Sequence, residues 1–180
     1  MIETDEEAVI EKAKRGDSRA FGVLVDRYQG VVFNLALRMV NDREEAKDIA
    51  QTVFVKVFQN LGSYDPSHRF FSWIYRIAVN ESLNYRGRRR RHEELDPGLE
   101  SDGRRPDDSA ALGEVGTEIG SALMQLNADY RTVVIMRHFL ELNQAEMSQI
   151  LEVPEKTVKS RLHTARRLLG EMLSRKGITS

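Results

Sequence analysis

Apolar positions recur along this chain at intervals of three and four residues, the spacing of one helical face, almost from its start. Residues 5–14 form a short amphipathic segment led by Ala8, Val9 and Ile10 and ended by Gly16. Asp17 is a suitable N-cap for the next helix, where Phe21, Leu24, Val25 and Tyr28 share a face. The pattern runs on past Gly30 through Val32, Leu35, Ala36 and Met39. Asn41 or Asp42 caps a third helix with a wide apolar stripe from Ala46 to Leu61, and GSYDPS then reads as a loop. Residues 70–85 resume as a helix carrying Phe71, Trp73, Ile74, Ile77, Ala78 and Leu83. Four helices with short connections predict a compact helical domain. From Val115 helical spacing returns through Ile119, Leu123, Leu126, Tyr130, Val133, Val134, Met136, Phe139 and Leu140, and two further helices close the chain. No strand signal and no internal repeat stands out.

Between these halves the composition changes. DPGLESDGRRPDDS is acidic and holds few large apolar residues. Such a segment buries too little surface to offset its ordering entropy and is expected to be a flexible linker. The expected architecture is all-α: two small helical domains, residues 1–92 and 115–180, joined by a flexible acidic linker over 93–114, with a helix-turn-helix in the C-terminal domain.

Charge sharpens this division. The formal net charge of -1 argues against nucleic-acid binding only if the charges are evenly spread, and they are not. RGRRRR spans 86–91, the stretch from Glu93 to Glu118 is strongly acidic, and the segment from Lys156 to Lys176 is basic again. Blocks of opposite sign give a near-neutral chain local binding surfaces. The absence of cysteine removes disulfides, thiol nucleophiles and thiolate metal sites from consideration. No apolar run approaches the roughly 20 residues of a membrane span, and the acidic start MIETDEEA does not read as a signal peptide. A cytoplasmic protein without membrane contact of its own is expected.

The C-terminal segment LNQAEMSQILEVPEKTVKSRLHTARRLL carries the first chemistry. Asn143 with Glu146 three residues on makes a capping box. The helix it starts is short, Glu152, Val153 and Pro154 form a turn, and a second helix follows over about 155–175. Val158, Leu162, Ala165, Leu168, Leu169 and Met172 face the first helix, while Lys156, Thr157, Lys159, Ser160, Arg161, His163 and Arg166 lie opposite. A helix-turn-helix needs this arrangement, with the N-terminal part of the second helix in the major groove and its cations and hydroxyls reaching phosphates and base edges. An amphipathic helix pair with an ordinary solvated face is the plainer alternative.

A second segment, SYDPSHRFFSWIYRIAVNESLNYRGRRRR, interleaves aromatics with arginine. Phe71, Ile74, Ile77 and Ala78 account for a buried face that Tyr64, Trp73, Tyr75 and Tyr85 cannot all share. Aromatic rings stack on unpaired bases while arginines follow the backbone. Asn80 can pair with a base edge through its donor and acceptor. For each ring taken singly, simple core packing is the competing reading, and for the polyarginine run a solvated helix end.

The stretches GDSRAFGVLVDRYQGVVFNLALRMV, DREEAKDIAQTVFVKVFQNL, FFSWIYRIAVNESLNYRGRRRR and TVKSRLHTARRLL together resemble the extracytoplasmic-function (group IV) class of sigma-70-family sigma factors. They fall in that family's order and cover nearly everything but the linker. The resemblance implies a factor that binds core RNA polymerase and directs promoter-specific initiation, melting the minus-ten element and reading the minus-thirty-five duplex. It implies that Asp48, Gln51, Phe54, Lys56 and Phe58 dock on the polymerase. It implies that Tyr64, His68, Arg69, Trp73, Tyr75, Arg76, Asn80, Arg88 and Arg89 serve the minus-ten element and its melted strand. It implies that Lys156, Thr157, Lys159, Ser160, Arg161, His163 and Arg166 serve the minus-thirty-five element. An anti-sigma factor is an expected partner; the resemblance implies a linker that threads the polymerase cleft, and a solubilising spacer is the plainer alternative. The chain departs from the family at Glu152 and Lys156, where glycine is common, and at Thr164, where arginine is common.

Two rivals remain. A conventional helix-turn-helix regulator with an N-terminal sensing or dimerisation domain explains the C-terminal half equally well, but not the Trp-Tyr-Arg-Asn segment. An enzyme is the weaker rival: His68, His92, His138 and His163 lie far apart without an obvious carboxylate or hydroxyl partner, and neither a phosphate loop nor metal-ligand spacing appears. No catalytic residue, metal or cofactor is expected.

Overall fold

The computed structural model describes residues 3–95 and 114–175, so most of the expected linker lies outside the described residues. The described residues form helices α1 (Glu3–Lys14), α2 (Ser18–Val40), α3 (Arg43–Asn60), α4 (Phe70–Leu95), α5 (Glu114–Gln125), α6 (Ala128–His138), α7 (Gln144–Leu151) and α8 (Glu155–Arg175), with one 3₁₀ turn at Leu61–Ser63 and no strand. The all-α expectation holds.

Helix ends follow from local chemistry. The Asp17 carboxylate accepts from the amides of Arg19 and Ala20 at the start of α2. The choice between Asn41 and Asp42 resolves into a division of labour. Asn41 ends α2 in the left-handed region at φ 59°, and Asp42 caps α3 by accepting from the Glu45 amide. Asn127 separates α5 from α6, and Asn143 with Glu146 forms the expected reciprocal capping box of α7. Helix α4 runs ten residues beyond the expected end at Tyr85, reaching Leu95 through the arginine run.

Helices α1–α4 enclose one apolar core. Leu24, Val32, Leu35, Ala36 and Met39 of α2 meet Ala46, Ile49, Val53 and Val57 of α3 and Phe70, Ile74, Ala78 and Val79 of α4. Each of these is nearly or wholly removed from water, at about 25 cal/mol per Å² of apolar surface. A second set joins Leu123, Val133, Met136, Met147, Ile150, Val158, Leu162 and Ala165 of α5–α8.

The two sets are continuous, because α2 packs on α5 and α6 and α4 packs on α7. At the centre of that contact lies Arg131 of α6, fully buried. Its Nε and Nη2 donate to the carbonyls of Leu123, Met124 and Leu126 at the end of α5, at 2.7–2.9 Å. Its Nη1 donates to the carbonyl of Met39 in the last turn of α2 at 2.8 Å. Both sets of carbonyls sit at helix C-termini, where terminal groups lack intrahelical partners and the dipole favours a cation. Beside it, the Arg38 guanidinium stacks 3.7 Å from the centre of the Phe139 ring.

Candidate nucleic-acid and polymerase interfaces

Helix α3 separates its residues by angle. Asp48, Gln51, Val55 and Phe58 fall along one exposed line, with Val55 49% and Phe58 56% exposed. Large apolar groups left this open beside polar ones mark a docking surface more than a core. Phe58 is steadied edge-on by Phe21, the ring centres 5.1 Å apart. Phe54 lies half-buried at the margin of this line and packs on the core. Lys56 points elsewhere: its ammonium is paired with the carboxylate of Glu81, which is 5% exposed within α4. That pair compensates an otherwise isolated buried acid. Val55 was missed at the level of sequence, where it falls outside the apolar stripe that includes Phe58; its three-residue offset from Phe58 was the available signal.

The loop before α4 is built around Tyr64. Its hydroxyl donates to the carbonyl of His68 at 2.5 Å, and its own carbonyl accepts from the Lys14 ammonium at 3.1 Å. Its ring meets those of Phe70 and Trp73 at 5.1 and 5.5 Å. Asp65 accepts from the Ser67 amide, a bond that holds its carboxyl below the ordinary value. Burial pushes the Tyr64 hydroxyl above its ordinary value. Tyr75 is also buried, packed against Phe71 with ring centres 4.0 Å apart. The aromatic set therefore divides: Tyr64 and Tyr75 belong to the interior, Trp73 and Tyr85 are half-buried, and His68, Arg69 and Asn80 are exposed. Sequence periodicity left open which of the four rings share the buried face; Tyr64 does so because the loop that carries it folds back. Arg76 is half-buried and reaches across to α7 and its following turn. The side chains of Arg88 and Arg89 lie outside the described residues.

On α8, Lys156, Lys159, Ser160, His163 and Arg166 are exposed, and Thr157 is half-buried. Lys159, Leu162, His163 and Arg166 line a concavity completed by Arg137 of α6 and Gln144 of α7. Three permanent cations around one hollow suit a polyanion. Burial, with Arg166 and Arg137 nearby, holds His138 below the ordinary imidazole value. Arg161 departs from this group, since its guanidinium pairs with Asp129 of α6 at 2.8 Å. Pro154 starts α8 where its missing N–H is harmless, and its carbonyl accepts from the amides of Thr157 and Val158. Glu152 adopts the left-handed conformation at φ 53°, the turn geometry for which the family's common glycine is suited. Among the described residues no cluster of metal-ligating side chains occurs, and no helix is long and apolar enough to cross a membrane.

Comparison with known proteins matches residues 24–92 to Sigma-70 region 2 and residues 117–169 to Sigma-70, region 4. The ECF RNA polymerase sigma factor SigW of Bacillus subtilis is 33% identical, over 91% of this chain and 94% of its own. The RNA polymerase sigma-H factor of Pseudomonas aeruginosa is 31% identical over 96% of each chain. Among solved structures, CnrH in complex with the cytosolic domain of CnrY superposes with a TM-score of 0.72 at 27% identity, over 94% of this chain and 97% of that one. The sigma factor RpoE in complex with the anti-sigma factor NepR from Bartonella quintana shares the fold, with a TM-score of 0.71 at 22% identity over 86% of this chain and 96% of that one. The chain belongs to the extracytoplasmic-function family of RNA polymerase sigma factors, proteins that direct promoter-specific transcription.

Proposed function

We propose that this chain divides its work as follows: residues 1–92 dock on core RNA polymerase and open the minus-ten element, 93–114 connect, and 115–180 read the minus-thirty-five duplex. The observation that carries this reading is the pairing of two unlike surfaces in one chain. One is the exposed line of Asp48, Gln51, Val55 and Phe58, suited to a protein partner; the other is the cationic hollow of Lys159, His163, Arg166 and Arg137, suited to DNA phosphate. A conventional helix-turn-helix regulator needs the second but has no use for a region 2 match over residues 24–92.

Within the minus-ten set, Asn80, His68, Arg69 and Trp73 are the base- and strand-facing groups. Tyr64 and Tyr75 shape the platform on which they stand. In the minus-thirty-five set, Lys156, Lys159, Ser160, His163 and Arg166 face the groove, with Thr157 at the helix start. Arg161 orients α8 through Asp129. The factor acts by binding, without catalysis, cofactor or metal, in the cytoplasm. An anti-sigma factor is its natural regulator, as the complexes of CnrH and RpoE suggest by likeness.

The test is in vitro transcription with cognate core polymerase. Promoter-specific transcripts that depend on this chain are expected, and their absence across a promoter library overturns the reading.

A further inference from the structure

Helix α1 precedes residues 24–92, the stretch matched to region 2, yet it is tied into the loop before α4. Its end is sharply made: Gly16 adopts φ 90°, and the Asp17 amide returns to the Lys12 carbonyl at 3.1 Å. Ile10 and Ala13 are buried in the core, and Glu6 accepts from the Tyr28 hydroxyl at 2.7 Å and from Arg27 at 2.9 Å. Lys14, in the last turn of α1, therefore projects from a fixed support.

Its side chain is only 18% exposed. The ammonium donates to the Tyr64 carbonyl at 3.1 Å and lies 5.3 Å from the centre of the Tyr64 ring. The Glu11 carboxylate, one turn back along α1 and 3.2 Å away, keeps the ammonium in that direction. One cation thus meets both the backbone and the ring of a single loop residue. A charge-assisted bond is about twice as strong as a neutral one, and the ring adds to it where water is excluded.

Tyr64 in turn is the base of a small closed unit. Its amide donates to the Leu61 carbonyl at 3.2 Å, and its hydroxyl donates to the His68 carbonyl at 2.5 Å. Between these points the Asp65 carboxylate accepts from the Ser67 amide, and the Asp65 carbonyl accepts from the His68 amide. These bonds fix the internal shape of the loop. The packing of Tyr64 on Phe70 and Trp73 tolerates tilt and sliding, whereas the bond from Lys14 is directional.

We propose that Lys14 is a positioning residue for minus-ten recognition: acting through Tyr64, it holds the loop so that His68 and Arg69 meet the melted strand together with Trp73 and Asn80. The proposal rests on the reading of that loop as a minus-ten element, and it extends the recognition apparatus to α1. Lys14 acts without touching DNA.

Two substitutions separate the donor from the bulk. Lys14→Met keeps most of the apolar stem and removes the charge, and Lys14→Arg keeps both. The first readout needs no DNA: amide hydrogen exchange of Ser67 and His68 in the full chain, followed by NMR. Lys14→Met is expected to speed it about tenfold. The emission of Trp73, the single tryptophan, is expected to change with it, since its ring lies 5.5 Å from that of Tyr64.

The second readout uses holoenzyme and a fork-junction fragment with its minus-ten strand unpaired, chosen from a promoter library as the one the wild type binds most tightly. Lys14→Met is expected to bind it about tenfold more weakly and to discriminate less when minus-ten bases are changed. Lys14→Arg recovers most of the loss. Affinity for core polymerase and for a duplex minus-thirty-five fragment stays at the wild-type level. Equal exchange in all three chains overturns the tether. Faster exchange with unchanged fork binding overturns the positioning role, and so does an equal loss on both fragments. Wild-type holoenzyme that ignores the unpaired strand sinks the minus-ten reading itself, and the exchange measurement tells that failure from failure of the tether.

Discussion

Arg131 donates a hydrogen bond to the carbonyl of Met39, 92 residues away in sequence, from a position with no exposure to water. A buried guanidinium is tolerable because four carbonyls from two helix ends surround it. Arg131→Met leaves those carbonyls without their donor and is expected to cost about 2–5 kcal/mol in urea denaturation. Arg131→Lys restores only part of this, since an ammonium lacks the planar fork. A midpoint unchanged by either substitution would refute the assignment.

Exposed Val55 and Phe58 are expected to contribute to polymerase binding and little to stability. Phe58→Ala or Val55→Asp weakens association with core polymerase about tenfold, measured by titrating a labelled factor. The thermal midpoint stays close to wild type, apart from the loss of one aromatic edge contact in Phe58→Ala. Equal losses in binding and in folding would place these residues in the core instead.

Asn80 is exposed on α4. Asn80→Ala is expected to reduce open-complex formation, read by reactivity of unpaired thymines, while core binding remains. Normal melting by the variant counts against its base-reading role.

The separation of Arg161 from the other cations gives a ranking. Lys159→Ala and Arg166→Ala each reduce duplex minus-thirty-five binding and flatten its salt dependence by about one contact. Arg161→Ala has a smaller effect on the salt slope, because its partner is Asp129. A footprint lost only in Arg161→Ala would reverse this order.

Folding also shifts three phenols. Burial, joined by the hydrogen bond to Glu6, raises Tyr28, and burial raises Tyr75 and Tyr64. A raised folded value means the unfolded chain loses its proton first. The stabilisation is complete below the ordinary value of 10.0 and is lost as pH rises through the folded values. Phenolate absorbance of these residues is expected to appear with loss of helical circular dichroism. Titration of Tyr28, Tyr64 or Tyr75 near 10 in a still-folded chain, assigned by Tyr→Phe variants, would contradict it.

Much of this was legible in the residues themselves. Period, caps and the Pro154 start disclosed the helices, and the capping box at Asn143 and Glu146 formed as its spacing implied. What escaped depends on distance along the chain. Arg131 in ADYRTVV reads as a surface cation, because its acceptor on Met39 has no local signature. Arg161, two residues on from Lys159, falls on another side of α8, and its pairing with Asp129 has no local signature. The packing of the two halves was hidden for the same reason, as an acidic linker implies independence and says nothing of complementary surfaces.

The pair of Lys56 and Glu81 joins α3, the helix proposed to dock on polymerase, to α4, which carries Asn80, the residue before Glu81. A protein that measures promoter position from a machine bound on its other side requires a fixed ruler between grip and reading head. On the proposed division of work this ion pair is a rivet of that ruler, and its loss is expected to blur where melting begins more than whether the factor binds.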